Sequence, residues 1–199
     1  MAAVSTKVKK QINDQFTKDR NYQKVLQKLV TEKLLELKKE FLDEFDSHPI
    51  TREIKAGPSS SNISGTLSGK GNLFSFIGFN KNDNPIGDLR KILEKQEVRF
   101  HHIRGKTEII IDLPTLEEIF AATPLPWAIG RSWARSMERG LSGLGYFLNN
   151  SRKAGSRSGG GIQVRSKLRG GKFKNTQYMT FILNNYYKKI EKLKRTSLA

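Results

Sequence analysis

The chain has 199 residues, with 36 Lys and Arg against 19 Asp and Glu, a formal net charge of +17. It has no cysteine, which excludes disulfides, cysteine-ligated metals and thiol catalysis. The positive excess implies an anionic counterpart, whether nucleic acid, an anionic surface or acidic neighbouring subunits.

Residues 1–18 read as a basic N-terminal arm. "MAAVSTKVKKQINDQF" holds no long apolar run, and it uses Lys with Asp14 and Asp19 close behind, so neither an export signal nor a membrane span is expected. From Asp19 to Phe45, the residues Tyr22, Leu26, Leu29, Leu34, Leu37, Phe41 and Phe45 recur at helical spacing. Glu32, Glu36 and Glu40 alternate with Lys28, Lys33 and Lys39 on the other side, which supports a long amphipathic helix by neighbouring ion pairs. Pro49 biases His48 away from helix and predicts the stop.

From Thr51 to Gly71 the composition turns to Gly, Ser, Pro and Asn, which predicts a long loop. Loops of this length in compact domains often contact partners. Within it, "SGTLSGKGNLFSFIGF" has the outline of a phosphate-binding glycine loop. Three features count against that. Only Thr66, Leu67 and Ser68 separate Gly65 from Gly69, where the motif needs four residues. Gly71 stands where a hydroxyl must hold magnesium. The following "NLFSFIGF" reads as a buried strand, whereas the motif must open a helix. The glycines are better read as the approach to a core strand.

A turn at Asn84-Pro85 leads to a short helix carrying Leu89, Ile92 and Leu93. "VRFHHIRGKTEIIIDLP" predicts a β-hairpin turning at Gly105-Lys106. Thr115 with Glu118 three residues on forms a capping box that opens another helix. Pro126 is expected to open a further one, with Ile129, Trp133 and Met137 on one face and Gly140, Gly143 and Gly145 weakening its second half. Within the glycine-rich basic stretch 151–171, "GIQVRSKLR" alternates Ile162, Val164 and Leu168 with polar neighbours, which predicts a strand suited to a sheet edge. A last helix is expected over Thr176–Leu193, with Phe181, Ile182, Tyr186, Ile190 and Leu193 as its apolar stripe. Together these elements predict one α+β domain over 19–195: a small, mostly antiparallel sheet, a long N-terminal amphipathic helix, central helices and a C-terminal helix. Gly/Ser loops fall at 55–71 and 151–161, and 196–199 forms a frayed tail.

Signals for chemistry are weak. His101 and His102 are adjacent on a strand and point to opposite faces, so one is expected inside and one outside, without a shared ion. Asp43, Glu44 and Asp46 read as solvated, with no apolar run around them to raise a pKa. No nucleophile elbow occurs. No catalytic, cofactor or metal site is expected. The charge pattern is more informative. Between Glu138 and Glu191 there is no Asp or Glu. That interval carries Arg152, Lys153, Arg157, Arg165, Lys167, Arg169, Lys172 and Lys174, a candidate surface for docking acidic subunits or for facing DNA. No reader module for RNA or DNA accompanies it.

The order of parts resembles that of the neck and tail-completion (head–tail connector) proteins of tailed bacteriophages. It runs from the long amphipathic helix through "AGPSSSNISGTLSGKGNLFSFIGF", the hairpin and "PLPWAIGRSWARSMERGLSGLGYFL" to "RSGGGIQVRSKLRGGKFKNTQY". The resemblance is architectural and spans most of the chain. It implies a non-enzymatic virion subunit, assembled in the host cytoplasm, that forms a homo-oligomeric ring between portal and tail and lets the genome pass. Its partners would be copies of itself, portal and tail proteins, and genomic DNA non-specifically; no membrane is implied. Ser64, Gly65, Gly69, Lys70, Gly71 and Asn72 would then lie in a subunit-interface loop. The alternative reading is a basic nucleic-acid-binding protein of a ribonucleoprotein or nucleoid particle.

Overall fold

The computed structural model describes residues 11, 14–15, 18–67, 71–103, 106–139, 158 and 177–196. The architecture is α+β. Helices α1 (Arg20–Ser47), α2 (Pro49–Lys55), α3 (Leu73–Ile77) and α4 (Pro85–Leu93) precede a hairpin of β1 (Glu97–Ile103) and β2 (Lys106–Asp112). Then come α5 (Leu116–Ala121), a small ladder of β3 (Pro124–Leu125) and β4 (Ala128–Ser132), α6 (Trp133–Glu138) and α7 (Met179–Thr196). Both ladders are antiparallel and two-stranded. Contacts divide the chain into two compact units, Met1–Lys39 with Lys95–Leu113, and Glu40–Glu94 with Pro114–Ala199.

In the first unit, β1 and β2 pair over their whole length, from Glu97 with Asp112 to Ile103 with Lys106. The two-residue connection is therefore 104–105, so Lys106 belongs to the strand and not to the turn. Val98, Phe100, Ile109 and Ile111 share one half-buried face. The opposite face carries exposed Glu97, Arg99, His101, Glu108 and Asp112. His102 is exposed as well as His101, against the expectation that one would pack inward. Its ring nitrogens are taken up by side chains, Nε2 at 3.2 Å from Gln27 Nε2 and Nδ1 at 3.0 Å from Thr107 Oγ1.

The long helix lies where its period predicts, but only part of its stripe is buried. Leu34, Leu37, Phe41 and Phe45 are inside, whereas Tyr22 and Leu29 are 40% and 59% exposed. In the second unit, Phe41 stacks on Tyr186 with ring centroids 4.5 Å apart. Glu44 accepts a hydrogen bond from Asn185 Nδ2 at 2.6 Å, and Glu40 pairs with Lys189 at 2.9 Å. The C-terminal stripe holds at Ile182, Tyr186 and Ile190, while Phe181 is 49% exposed. Helix α7 begins at Met179, where Glu138 Oε1 accepts from the backbone N–H groups of Met179 and Thr180. Those are donors that a helix start leaves without intrahelical partners, and an acidic group there also suits the helix dipole.

Three expected elements differ. Residues 73–77 are helical, not a strand, although all five are buried. Asn72 caps the first turn by accepting from Ser75 N–H, and Gly78 ends the helix in the left-handed region at φ 87°. An apolar run carries no period of its own, so the caps at its two ends set the backbone. The Thr51–Gly71 loop begins later than expected, because Pro49 at the first helical position opens α2 as well as closing α1. The helix expected from Pro126 starts only at Trp133, capped by Ser132, whose Oγ accepts from Arg135 N–H. Before it, β3 and β4 form a hairpin with Gly130 at φ 71°, and Trp127 donates its indole N–H to Ile77 O at 2.7 Å. Thr115 and Glu118 do form the capping box. The strand expected at 161–169 lies outside the described residues.

The α1–α2 junction depends on His48. Its backbone is extended and its Nδ1 accepts from Ile50 N–H at 3.3 Å, while its ring lies against Tyr178 at 4.9 Å. Burial holds the imidazole below its ordinary value near 6.5, partly offset by Glu44. The unfolded chain thus takes up this proton at a higher pH than the folded one. Stability falls as pH drops below 6.5 and levels off below the folded value. His48→Asn keeps a capping acceptor without the titration. Denaturant midpoints measured across this range should fall more steeply for the wild type than for His48→Asn.

Candidate functional site

The glycine loop is organised by one side chain the sequence reading passed over. Glu53, on α2, is fully buried. It sits three residues after Ile50 and one before Ile54, both buried, so it is on the inward face of its helix. Its Oε1 accepts from Leu73 N–H at 2.7 Å and its Oε2 from Ser64 N–H at 2.7 Å. Asn62 Nδ2 donates to both oxygens, at 2.9 and 3.1 Å. Asn62 Oδ1 in turn accepts from Leu67 N–H at 3.0 Å.

Asn72 completes the frame. It is 3% exposed and donates from Nδ2 to the carbonyls of Pro58 and Ser60, at 2.9 and 3.1 Å, while its Oδ1 caps α3. Backbone groups of a segment from Pro58 to Ser75 are thus satisfied by three side chains. Backbone polar groups that leave water without a helix or strand partner need such side chains. Gly65 contributes a left-handed turn at φ 69° in open space.

A helix does follow the glycines, so that argument against nucleotide binding falls. The spacing and the missing hydroxyl still stand. The N-terminal donors of α3 are also occupied: Leu73 N–H by Glu53, and Ser75 N–H by Asn72. The anion at this helix start is the protein's own carboxylate, which would repel a phosphate. Of the residues expected in a contact loop, Ser64 and Asn72 hold this frame together. Gly65 is exposed and Gly71 half-buried at φ 79°. Gly69 and Lys70 lie outside the described residues. So do all eight basic candidates: Arg152, Lys153, Arg157, Arg165, Lys167, Arg169, Lys172 and Lys174.

The chain finds no match among protein-family models, curated proteins or solved structures.

The buried hydroxyls pair with one another. Thr51 Oγ1 lies 2.5 Å from Tyr178 Oη, Thr123 Oγ1 2.7 Å from Ser132 Oγ, and Ser158 Oγ donates to Ser75 Oγ at 2.8 Å. Burial raises the Tyr178 phenol well above its ordinary value, against a smaller lowering by Thr51, so it stays neutral. The hydroxyl–imidazole pair Thr107–His102 leads on to Gln27. It has the connectivity of a nucleophile with its base, but it is solvated, and a neutral amide cannot balance an imidazolium as a carboxylate does. No group of three or more His, Asp or Glu among the described residues is placed to hold a metal.

In the acidic cluster at the end of α1, Asp43 is exposed as expected, whereas Glu44 and Asp46 are half-buried and bonded within the fold. Asp46 accepts from Arg90 Nε at 3.0 Å and lies 4.0 Å from Lys55, and Glu44 is committed to Asn185. An open depression of ≈ 740 Å³ borders this cluster, lined by Asp43, Asp46, Ser47, Arg52, Lys55 and Ile63. Its two carboxylates face two cations, so it presents no net charge to select a ligand.

Glu53→Gln tests the frame directly. One amide oxygen replaces two carboxylate oxygens, and the amide N–H₂ meets backbone donors. A loss of about 3 kcal/mol in unfolding free energy is expected, with faster hydrogen exchange at the Ser64 and Leu73 amides.

Proposed function

We propose that this protein is a non-enzymatic structural subunit that assembles with copies of itself, and that its place is the neck of a tailed-phage virion, as an oligomeric ring between portal and tail. The supporting observation is a contrast between the inside and the outside of the chain. Inside, carboxylates and hydroxyls are spent on the fold; one buried Asp46 oxygen lacks a hydrogen bond and faces Lys55. Outside, large apolar side chains stand in water. Tyr22, Val25 and Leu29 are 40–59% exposed on one side of α1, and Ile129 is fully exposed on the β3–β4 hairpin. A catalytic site needs polar groups aimed at a cleft. Assembly needs apolar surface left over after folding. The order of parts along the sequence extends this reading to the virion neck.

The charge of +17 supports a second reading, a basic protein that coats nucleic acid. The two differ in salt dependence. Phosphate contacts weaken steeply with salt through counterion release, and apolar burial does not. Sedimentation at low and high salt, with and without duplex DNA, separates them. A discrete oligomer that persists in high salt, or that closes on adding portal or tail subunits, is expected. A monomer that shifts only with DNA, and only at low salt, would replace the neck reading with the second.

A further inference from the structure

The β1–β2 hairpin is a sheet of two strands with two edges, and among the described residues no third strand pairs with either. Two strands alone make a marginal sheet; further strands or a packed helix hold one together. The connection is two residues long and Ile103 pairs with Lys106. Hydrogen-bonded and non-hydrogen-bonded pairs alternate outward from such a turn. The backbone groups of Lys106, Glu108, Ile110 and Asp112 therefore face β1, and those of Thr107, Ile109 and Ile111 face away. Among the described residues these last three make no backbone bond elsewhere. Natural edges are often blunted by proline, a bulge or an inward charge. The register of β2 is continuous, its sequence "KTEIIID" has no proline, and Thr107, Ile109 and Ile111 put no charge on the half-buried face.

We propose that the outer edge of β2 pairs antiparallel with β2 of a second copy, about a two-fold axis at Ile109, to make one four-stranded sheet. The proposal rests on the self-assembly reading above and names one surface that would carry it.

Strand length, bonding phase and charge select the same register. Centred on Ile109, the strand from Lys106 to Asp112 overlaps its copy over its whole length. Ile109 then stands opposite the partner's Ile109, and Thr107 opposite the partner's Ile111. These are the residues whose backbone groups point outward, so each such pair can exchange two main-chain bonds. The face that carries Glu97, Arg99, His101, Glu108 and Asp112 also carries position 106, by strand alternation. The two ends of β2 on that face are thus opposite in charge, Lys106 at one and Asp112 at the other. In the centred register each Lys106 stands opposite the partner's Asp112, twice by symmetry. Glu108 stands opposite the partner's Ile110 and meets the partner's carboxylates only on the diagonal, about 7–8 Å away. A slide of two residues keeps the bonding phase but loses this match. One direction sets Glu108 opposite the partner's Asp112, the other sets it opposite the partner's Glu108, and like charges directly opposite destabilise a sheet. Asp112 already pairs with Arg99, but a carboxylate has lone pairs for a second donor. The outer edge of β1 offers no such match, since centring it on Phe100 sets Glu97 opposite Ile103 and Arg99 opposite His101. Main-chain bonds and the isoleucines would supply affinity, and the ion pairs would fix register. The contact is isologous and closes at two copies, so a larger ring would repeat this pair through other surfaces.

Sedimentation and residue-resolved hydrogen exchange test the pair. With rising concentration the wild type should sediment as a dimer, and exchange at the Thr107, Ile109 and Ile111 amides should slow by at least roughly tenfold. Lys106→Asp sets two acids opposite one another at both ends, and Asp112→Lys sets two bases there. Each variant alone should dimerise at least roughly tenfold more weakly than the wild type. Mixed together, the two should pair as tightly as the wild type, because each charge again meets its opposite. The Ile110 amide, which faces β1, reports that the hairpin is folded throughout. An oligomer indifferent to these charges, with the outward amides unprotected, overturns the edge proposal and leaves the self-assembly reading intact. So does a monomer that closes into a ring only with portal or tail subunits, again without protection on β2. Slow exchange at the outward amides in the dilute monomer would mean that the chain covers its own edge, and would also overturn the pair. A chain that stays monomeric under every condition, portal and tail subunits included, would overturn the pair and the self-assembly reading together.

Discussion

The fold of the second unit turns on a carboxylate that meets no water. Glu53 is fixed by α2, which packs through Ile50 and Ile54, and it reaches the backbone of residues 64 and 73 across the glycine loop. A buried charge is costly unless its lone pairs are met by donors. Here two backbone N–H groups and an asparagine amide meet them. Without these bonds that charge would be left unpaired, so Ser64 and Leu73 are tied to α2 although the Gly/Ser-rich segment has little core of its own. The α3 helix then starts where Glu53 and Asn72 hold its first donors, and its five buried residues follow.

The same device recurs at longer range. Glu138, at the end of α6, holds the start of α7, although about forty residues separate them in sequence. Packing between α1 and α7 is then locked by Phe41 on Tyr186 and by the Glu44–Asn185 bond. Aromatic stacking supplies area, and the polar contacts choose the register. Glu44, Asp46 and Glu138 are thus half-buried fastenings between elements.

Periodic elements were legible in the sequence. The helices at 20–47 and 85–93, the presence of the hairpin and the Thr115 capping box follow from apolar spacing and turn chemistry, while the hairpin connection lies one residue before the expected Gly105-Lys106 pair. The exceptions share a cause. In "LFSFIGF" every position is apolar or small, so period is absent and the caps at Asn72 and Gly78 decide. In "PWAIGRSW" the helical spacing of Ile129, Trp133 and Met137 was coincidental, since Ile129 is fully exposed on a strand. Glu53 left a readable trace: a carboxylate at an inward position of "PITREIK", followed by a loop full of N–H donors. What it binds was not readable, because its partners are 11 and 20 residues away.

In the proposed reading, buried polar groups hold the chain together and exposed apolar and charged surface meets other subunits. The proposed assembly is a closed ring of identical subunits between a portal and a tail. The most direct test is single-particle electron microscopy of the purified protein, alone and with portal or tail subunits. The account expects closed rings of one stoichiometry with a central opening wide enough for duplex DNA. Protomers scattered along added DNA, with no rotationally symmetric particle under any condition, would contradict it.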